Sequence, residues 1–342
     1  MECKIYLRKG ERNNATTHYI DVLERSLLEV FNKVEYIDDV KKLQSNDVVL
    51  IITMYALMDV WKKNFNQKII YWWQGITPEE LSYNVSHFTF RLRLRIIFYN
   101  VLEFLLLRKA KFNIFVSSTM LEHYRKKYRY KGENTAIMPC YNQALSKQSF
   151  FVQSKYSRPS FVYSGAMLPW QCVEETVVLY NKVKAHYPQA TLTILTTGID
   201  EAKEIVDKHN AVDVEIKCVP VEKLNEEQAK YKYGMLLRAD NIVNNVATPT
   251  KFNSYLAVGL IPVISDVVGA YKPILSKMKY KIGVGDEKDL DKAFQLICEM
   301  EETDIEPGEI YAEYKSIFDS FYNTENYINE ISTNINKYVI KA

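Results

Sequence analysis

The sequence predicts an α/β protein built from two doubly wound, Rossmann-like domains, each around a parallel sheet. Its 342 residues exceed the length at which a single hydrophobic core usually stops growing. In both halves, short apolar runs alternate with helical patterns, which is typical of parallel sheets. A polar segment of poor periodicity, residues 146–159, lies between the halves and is predicted to be the linker.

The predicted elements divide the chain into residues 1–150, 159–315 and a C-terminal helix over 316–342. Apolar residues on one side predict a helix over Thr17–Phe31, and a longer helix is predicted over His87–Lys109. The strand-like runs of the first half are Lys4–Leu7, Val34–Ile37, Asp47–Thr53, Lys68–Trp73, Phe112–Val116 and Thr135–Met138. Those of the second half are Phe161–Ser164, Thr191–Leu195, Val212–Val219, Tyr233–Leu237 and Ile261–Ile264.

Composition and charge limit the partners that we expect. Hydrophobic residues make up 47% and charged residues 25%, as in ordinary globular proteins. Up to Arg158 the chain has 25 Lys and Arg against 15 Asp and Glu, whereas the remainder has 19 against 27. The basic half suggests an anionic lipid or lipid-pyrophosphate partner, unless the surface charge simply varies along the chain.

The five cysteines show no CxxC spacing and no cluster with histidine, so we expect neither a zinc site nor a disulfide framework. This pattern suits a reducing cytoplasm. The first residues, Met1–Ile5, do not have the pattern of a signal peptide.

One segment has the order strand, loop, short helix, strand, and it suggests a phosphate site. The first strand ends near Arg238, and Pro249 suits the first turn of the helix that follows. Thr250 and Lys251 then lie at the start of this helix, where free N–H groups and the helix dipole favour an anion. Gly259 is expected to end the helix before a buried strand.

These residues also carry a family resemblance. The sequence YGMLLR at 233–238, followed by PTKFNSYLAVGLIPVI at 249–264, resembles the donor-binding half of GT-B nucleotide-sugar glycosyltransferases. FVYSGAMLPWQ at 161–171 is similar to the first strand and loop of that half. The resemblance extends from about residue 160 to residue 264 and is greatest to the short bacterial members of glycosyltransferase family four, which build surface polysaccharides.

The resemblance implies a GT-B fold, with two Rossmann-like domains facing across a cleft and a last helix that returns to the N-terminal domain. It implies transfer of a hexosyl unit from a nucleoside diphosphate sugar, expected to be UDP-linked, to a saccharide acceptor, expected to be lipid-linked. Capsule, O-antigen or exopolysaccharide synthesis is the implied setting. It further implies retention of anomeric configuration without a metal ion, and no cofactor besides the sugar nucleotide substrate.

The sequence departs from the family at two places. Ser254 stands where the family usually has a glutamate that binds the donor ribose, and residues 168–171 replace a common Arg and Lys pair. The ribose contact is therefore remade, or the chain is a divergent or inactive branch. A non-catalytic scaffold of a polysaccharide assembly complex, or another GT-B enzyme such as an epimerase, remains an alternative function.

In the donor site, the catalytic candidates are Lys251 and Arg238, which would neutralise the departing diphosphate. The alternative for Arg238 is a structural salt bridge with Asp240. The predicted donor-binding residues are Gly165, Trp170, Gln171, Arg238, Pro249, Thr250, Lys251 and Ser254. A simple turn role for Gly165 and core packing for Trp170 are the structural alternatives.

In the N-terminal half, the loop after the strand at 68–73 and the loop after the first strand should both contribute to ligand binding. The predicted acceptor-binding residues are Arg12, Asn13, Trp73, Gln74, Gly75 and Glu79. Thr77 and Glu80 have the spacing of a helix capping box, which is the preferred interpretation of Glu80. His18 is a candidate base for the acceptor hydroxyl, although a cap or surface position is the more common role of such a histidine.

The segment 88–111 is a candidate for peripheral contact with an anionic membrane. Basic residues on both sides flank Ile96–Leu107, which is too short and, with Asn100 and Glu103, too polar to span a bilayer. A helix on a membrane surface and a buried helix both fit this pattern. No nucleic-acid recognition motif is present. We therefore expect a cytoplasmic protein at the inner face of the plasma membrane.

Overall fold

A computed structural model describes residues 2–13, 16–83 and 89–341. The chain forms two compact units. The first consists of Met1–Cys140, Val246–Thr248 and Asn323–Ala342, and the second of Tyr141–Asn245 and Pro249–Tyr322. The chain therefore crosses between the units several times, and its C-terminal segment belongs with the N-terminal residues.

The first unit contains a six-stranded sheet in which all neighbouring strands are parallel. The strand order is β2-β1-β3-β4-β5-β6. The central strands β3, β4 and β5 are buried almost throughout, as is typical of a sheet covered on both faces. The strands are β1 (Cys3–Tyr6), β2 (Val34–Ile37), β3 (Val48–Ile51), β4 (Lys68–Trp73), β5 (Phe112–Phe115) and β6 (Thr135–Ile137).

Five α-helices of the described residues lie between these strands, and side-chain caps fix where three of them begin. The hydroxyls of Thr53, Thr89 and Ser117 each accept a hydrogen bond from the N–H three residues later, at 3.1, 3.2 and 2.9 Å. The helices are α1 (Thr17–Leu28), α2 (Met54–Lys63), α3 (Thr77–Tyr83), α4 (Phe90–Lys109) and α5 (Ser118–Tyr128).

The second unit contains another six-stranded parallel sheet, in the order β12-β11-β10-β7-β8-β9. The last strand, β12, was not predicted because it is only three residues long and contains a glycine, Gly283. The strands are β7 (Ser160–Ser164), β8 (Thr191–Leu195), β9 (Val214–Lys217), β10 (Tyr233–Leu236), β11 (Ile261–Ser265) and β12 (Ile282–Val284).

The remaining helices surround this second sheet, except the last. They are α6 (Val173–His186), α7 (Ile199–Lys208), α8 (Leu224–Gln228), α9 (Ile242–Val246), α10 (Thr250–Ala257), α11 (Lys272–Leu275), α12 (Leu290–Glu301), α13 (Pro307–Ser320) and α14 (Thr324–Ile335). Helix α14 packs against α1 and β6 in the first unit, with Ile328, Ile331 and Ile335 buried.

The predicted fold class is confirmed, since both halves contain a parallel sheet with flanking helices. The predicted strand over Val212–Val219 is shorter, because pairing with β8 begins only at Val214. The predicted helix over His87–Lys109 begins at Phe90, and His87 and Phe88 lie outside the described residues.

Strand order also locates the points at which ligands bind in open α/β sheets. Such ligands lie beyond the carboxyl ends of the strands, where the strand order reverses. In the second unit the reversal falls between β7 and β10, and in the first unit it falls between β1 and β3. The loops that follow these four strands are therefore the places to look for a site.

A buried carboxylate holds α4 and α5 together in the first unit. The side chain of Glu103 is fully buried and accepts hydrogen bonds from the hydroxyls of Tyr124 at 3.1 Å and Tyr128 at 2.6 Å. The ammonium of Lys127 lies 3.2 Å from the same carboxylate. Burial raises the pKa of Glu103, while Lys127 and Tyr128 partly oppose this shift. This network explains an acidic residue within an apolar helix.

We expect Glu103→Ala to lower the free energy of unfolding by about 3 kcal/mol, because buried hydroxyls lose their acceptor and a cavity remains. Denaturant unfolding measures this change. Glu122→Ala is the control, since Glu122 pairs only with Arg125 at the surface and should have no measurable effect. Equal stability of the Glu103→Ala protein and the wild type would contradict a structural role for this carboxylate.

Candidate functional site

The switch point of the second unit brings four predicted residues into one cluster. Gly165 follows β7, Arg238 follows β10, and Lys251 is the second residue of α10. The ammonium of Lys251 donates hydrogen bonds to Gln171 Oε1 at 2.5 Å and to the Tyr163 hydroxyl at 3.1 Å. It also lies 4.2 Å from the centre of the Tyr163 ring. Residues far apart in sequence thus converge at the expected edge of the sheet.

Gly165 is required by the position of the lysine. Its φ of +147° is unfavourable for residues with a side chain, and a Cβ atom there would lie 2.5 Å from Lys251 Cε. The sequence predicted either a turn glycine or a close approach of ligand. The structure adds a different constraint, which is the close approach of the Lys251 side chain to the backbone.

Arg238 is buried and only partly satisfied by its neighbours. Its Nη1 lies 3.4 Å from Asn244 Oδ1, and its Nε has no hydrogen-bond partner within the described residues. The alternative of a salt bridge with Asp240 is wrong. The carboxylate of Asp240 instead accepts a hydrogen bond from Asn245 at 3.1 Å. The guanidinium therefore keeps a buried donor available for a ligand.

The charge of this cluster is not balanced. Burial lowers the pKa of Lys251 well below its usual value, and the nearby Arg238 lowers it further. Burial also lowers the pKa of Arg238. In the parts of the chain that the structure describes, no carboxylate forms an ion pair with either side chain. A buried cation and a half-buried cation without an acid partner stabilise the folded protein poorly but favour binding of an anion.

The start of α10 adds a backbone contribution to this positive region. Pro249 precedes the helix, and its carbonyl accepts a hydrogen bond from the Tyr271 hydroxyl at 2.8 Å. Thr250 and Lys251 form its first turn, where the helix dipole is positive. The hydroxyl of Ser254 donates to the Thr250 carbonyl at 3.2 Å and is buried. Ser254 is therefore engaged within its own helix.

The sequence did not single out two residues that complete this cluster, Tyr163 and Asn244. The sequence could have identified Tyr163, because residues two apart on a strand lie on the same face and Tyr163 comes two residues before Gly165. The Asn244 amide donates to the carbonyls of Ala239 at 2.9 Å and Trp170 at 3.5 Å.

Trp170 is half-buried in a short 3₁₀ helix over Pro169–Gln171, so it is not a core residue.

The first unit contains the predicted acceptor residues, and Trp73 requires a correction. Its side chain is 1% exposed, and its Nε1 donates to Asn113 Oδ1 at 2.9 Å. The ring packs against Phe115 and Tyr124. The sequence placed this tryptophan in an aromatic wall of a sugar site, but β4 is a central strand whose two faces are both covered, so the ring lies in the core.

A cavity of about 360 Å³ lies at the carboxyl ends of β3 and β4 and includes two of the predicted residues, Gln74 and Gly75. The Gln74 side chain is exposed, and its amide donates to the Ile52 carbonyl at 3.1 Å. The aromatic lining consists of Tyr55, Tyr71 and Tyr99, accompanied by Arg95 and Glu80. The aromatic and polar lining of this cavity therefore comes from tyrosines and an arginine, and not from Trp73.

Glu79 and Glu80 have different roles. Glu79 pairs with His123 at 3.2 Å and Lys127 at 2.6 Å. Burial raises the pKa of Glu79, but the bonds to His123 and Lys127 outweigh it and the pKa is lowered overall. Glu80 accepts a hydrogen bond from the Ile76 N–H at 3.2 Å, which differs from the predicted capping box, in which Glu80 would pair with Thr77. Its pKa is raised by burial.

The remaining predicted residues of the first unit lie in the loop after β1 and at the start of α1. Arg12 pairs with Asp21 at 2.8 Å, and the Asn13 amide donates to the Gly10 carbonyl at 3.0 Å. His18 lies in the first turn of α1, where burial lowers its pKa. The residue of this loop that reaches the end of β3 is Glu11, which accepts a hydrogen bond from the Thr53 hydroxyl at 2.5 Å. The sequence did not single out this contact.

Within residues 2–13, 16–83 and 89–341, no group of three or more His, Cys, Asp or Glu side chains is placed to hold a metal ion. Among the helices of the same ranges, none combines the length and the apolar character needed to cross a membrane.

Several solved structures share this fold. TarM matches 86% of this chain with a TM-score of 0.64 at 11% identity, and this chain spans 56% of TarM. A second match is an E. coli structure described as trehalose-6-phosphate bound with UDP-2-fluoro glucose. The alignment covers 97% of this chain and 99% of the E. coli chain, with a TM-score of 0.61 at 11% identity. A third match is a UDP-forming trehalose-phosphate synthase from Burkholderia xenovorans. The alignment covers 94% of this chain and 78% of the synthase chain, with a TM-score of 0.60 at 10% identity.

No family model matches this sequence, and no curated protein is similar to it in sequence. At identities this low, the structural matches demonstrate a shared GT-B fold, with two sheets of parallel strands and flanking helices.

Gly165→Ala tests the packing of this cluster. The added methyl group should displace the Lys251 side chain and weaken binding of UDP by about tenfold or more. Isothermal titration calorimetry measures the affinity. Gly308→Ala is a suitable control, because no atom lies within 4 Å of the new Cβ there. Unchanged affinity for UDP in the Gly165→Ala protein would contradict the role of Lys251 in binding.

Binding should also depend on pH through Lys251. Its pKa is lowered in the free protein, and a bound diphosphate should raise it, so binding takes up a proton. The affinity for UDP should therefore fall as pH rises through the lowered pKa, measured at pH values above about 6, where the UDP phosphates keep their charge. Lys251→Met should remove this dependence. A wild-type affinity that stays constant with pH would argue against proton uptake by this lysine.

Proposed function

We propose that this protein is a GT-B glycosyltransferase that transfers a hexosyl unit from a nucleoside diphosphate sugar, UDP-linked, to a saccharide acceptor. The observation that carries the proposal is the pair of cations, buried Arg238 and half-buried Lys251, without a carboxylate partner in the described residues. A diphosphate supplies the two negative charges that this pair lacks. A UDP complex of a S. aureus TarM mutant and the UDP-forming synthase agree with the choice of donor.

Lys251 and Arg238 act on the leaving group. Negative charge on the nucleoside diphosphate increases as the bond to the sugar breaks, so both cations bind the transition state more tightly than the ground state. The unpartnered Nε of Arg238 donates to a phosphate oxygen, and Gly165 keeps the Lys251 ammonium at the strand end. In this proposal a donor phosphate oxygen assists the incoming hydroxyl. The configuration is retained, and the two side chains supply the positive charge without a metal ion.

The acceptor is a saccharide, lipid-linked, for capsule, O-antigen or exopolysaccharide synthesis at the inner face of the plasma membrane. The first-unit cavity supports this part of the proposal, because Tyr55, Tyr71 and Tyr99 offer aromatic faces while Gln74 and Arg95 offer hydrogen-bond donors. Apolar ring faces with nearby polar groups suit sugar rings. His18 remains the weak candidate for a base on this side.

Ser254 favours a second candidate function, a non-catalytic GT-B scaffold. A serine at the position of the family's ribose-binding glutamate has a shorter side chain, and its hydroxyl is occupied by the Thr250 carbonyl. A protein that had lost donor binding would lose its need for a carboxylate at this position. The two candidates make different predictions about nucleotide binding and turnover.

Thermal shifts with UDP, GDP, CMP and TDP, each with and without Mg²⁺, test the proposal first. We expect UDP to raise the melting temperature. At a UDP concentration 100 times Kd, binding adds about 2.7 kcal/mol to the free energy of unfolding, and this sets the size of the shift. Lys251→Met should remove the shift, whereas Lys203→Met, at an exposed lysine of the same unit, should keep it. Release of UDP from UDP-sugars in the presence of saccharide acceptors then measures turnover.

The outcomes separate the candidates. A shift with UDP followed by turnover supports the transferase. A shift without turnover over a broad set of acceptors, or no shift with any nucleotide, favours the scaffold. A shift that survives in the Lys251→Met protein would locate nucleotide binding elsewhere and overturn the proposed site.

A further inference from the structure

We propose that helix α4 (Phe90–Lys109) lies flat on an anionic membrane surface, with its outer face in the boundary between headgroups and acyl chains. This inference depends only on the first unit and does not require the reaction proposed above. The sequence left two possibilities for this segment, a buried helix or a surface helix. The structure assigns each possibility to one face of the same helix.

The inner face of α4 packs into the first unit. Its buried residues are Tyr99, Leu102, Glu103, Leu106 and Leu107. They follow a helical spacing of three and four residues and therefore form one side of the helix. Burial in the first unit accounts for the apolar residues of this inner face. It does not account for the apolar residues on the opposite face of the helix.

The outer face consists of large apolar side chains that are exposed. Their spacing of one, three or four residues places them on the side opposite the buried set. The most exposed are Phe90 at 74% and Ile97 at 59%. The full set is Phe90, Leu94, Ile97, Phe98, Val101 and Phe104. These residues form a continuous apolar stripe about 21 Å long at 1.5 Å per residue, which is larger than the scattered apolar residues of ordinary surfaces.

Charge on the outer face selects the partner. Arg91 and Arg93 lie on opposite flanks of the stripe by helical geometry, and Arg108 and Lys109 lie at its C-terminal end. The only acidic residue of α4 is Glu103, which is buried on the inner face. The stripe is therefore bordered by cations and carries no negative charge. Basic residues around an apolar stripe complement a surface of anionic lipids.

Two contacts keep cations next to the apolar side chains. The Arg108 guanidinium lies 3.7 Å from the centre of the Phe104 ring, and the Lys109 ammonium lies 4.1 Å from the centre of the exposed Phe65 ring. An aromatic ring beside a cation suits the headgroup level, where the ring meets acyl chains and the cation meets phosphate. Phe65 thus extends the docking surface beyond α4.

Flotation with vesicles tests the proposal. The wild-type chain is mixed with vesicles of phosphatidylcholine alone or of phosphatidylcholine with phosphatidylglycerol. Ile97→Ser with Val101→Ser removes part of the stripe, and Arg91→Gln with Arg93→Gln removes charge. The matched control is Val212→Ser with Val221→Ser, two exposed valines of the second unit. Melting temperature and the thermal shift with UDP are measured for every variant, so that unfolding and loss of nucleotide binding are distinguished from loss of docking.

We expect the wild type and the control to float with the anionic vesicles and not with phosphatidylcholine alone. The partition coefficient of the double arginine variant onto anionic vesicles should be about 25-fold lower, because each arginine contributes about fivefold. The partition coefficient of the stripe variant should be about tenfold lower. Equal flotation of the stripe variant and the wild type would overturn the proposal. So would a wild-type dimer in light scattering that becomes monomeric in the stripe variant, because a second copy of the chain would then cover this face.

Discussion

Two neighbouring cations at the end of one parallel sheet, buried Arg238 and half-buried Lys251, are the constraint on which the site depends. Burial lowers the pKa of both Lys251 and Arg238, Arg238 lowers the pKa of Lys251 further, and in the described residues neither has an acidic partner. A folded protein gains no stability from this arrangement, since desolvation of two like charges is costly. The arrangement is explained if an anion completes it. The GT-B fold and the position at the strand switch point support our proposal that this anion is a nucleoside diphosphate.

The rest of the second unit holds helix α10 in the position that this cluster needs. The Tyr255 hydroxyl accepts from the Ser164 N–H and donates to the Met235 carbonyl, each at 3.2 Å, so it joins α10 to both strands of the switch point. At the other end of the helix, the ammonium of buried Lys155 donates to the Val258 carbonyl. Burial lowers the pKa of Lys155 to about 7. The first turn of α10 is thereby fixed on the sheet.

Much of the fold could be predicted from sequence, because alternating strands and helices depend on local periodicity. Strands β2, β4 and β8 have the predicted bounds, whereas the short β12 has too little pattern to detect. In the donor cluster, Gly165, Gln171, Arg238 and Lys251 lay in recognisable motifs. Asn244 acts through contacts that only the folded chain creates. Trp73 was misplaced, because a strand residue can face either side and its burial is decided by the neighbouring β5 and α5.

The most direct test of the central claim is the free energy of unfolding of the Lys251→Met protein, measured without ligand and again with saturating UDP. If the lysine serves an anion and not the fold, the variant should be about 1–2 kcal/mol more stable than the wild type when free, because a half-buried charge beside Arg238 is removed. With UDP the order should reverse, since only the wild type gains binding energy. A variant that is less stable than the wild type in both conditions would contradict the account and assign Lys251 a structural role.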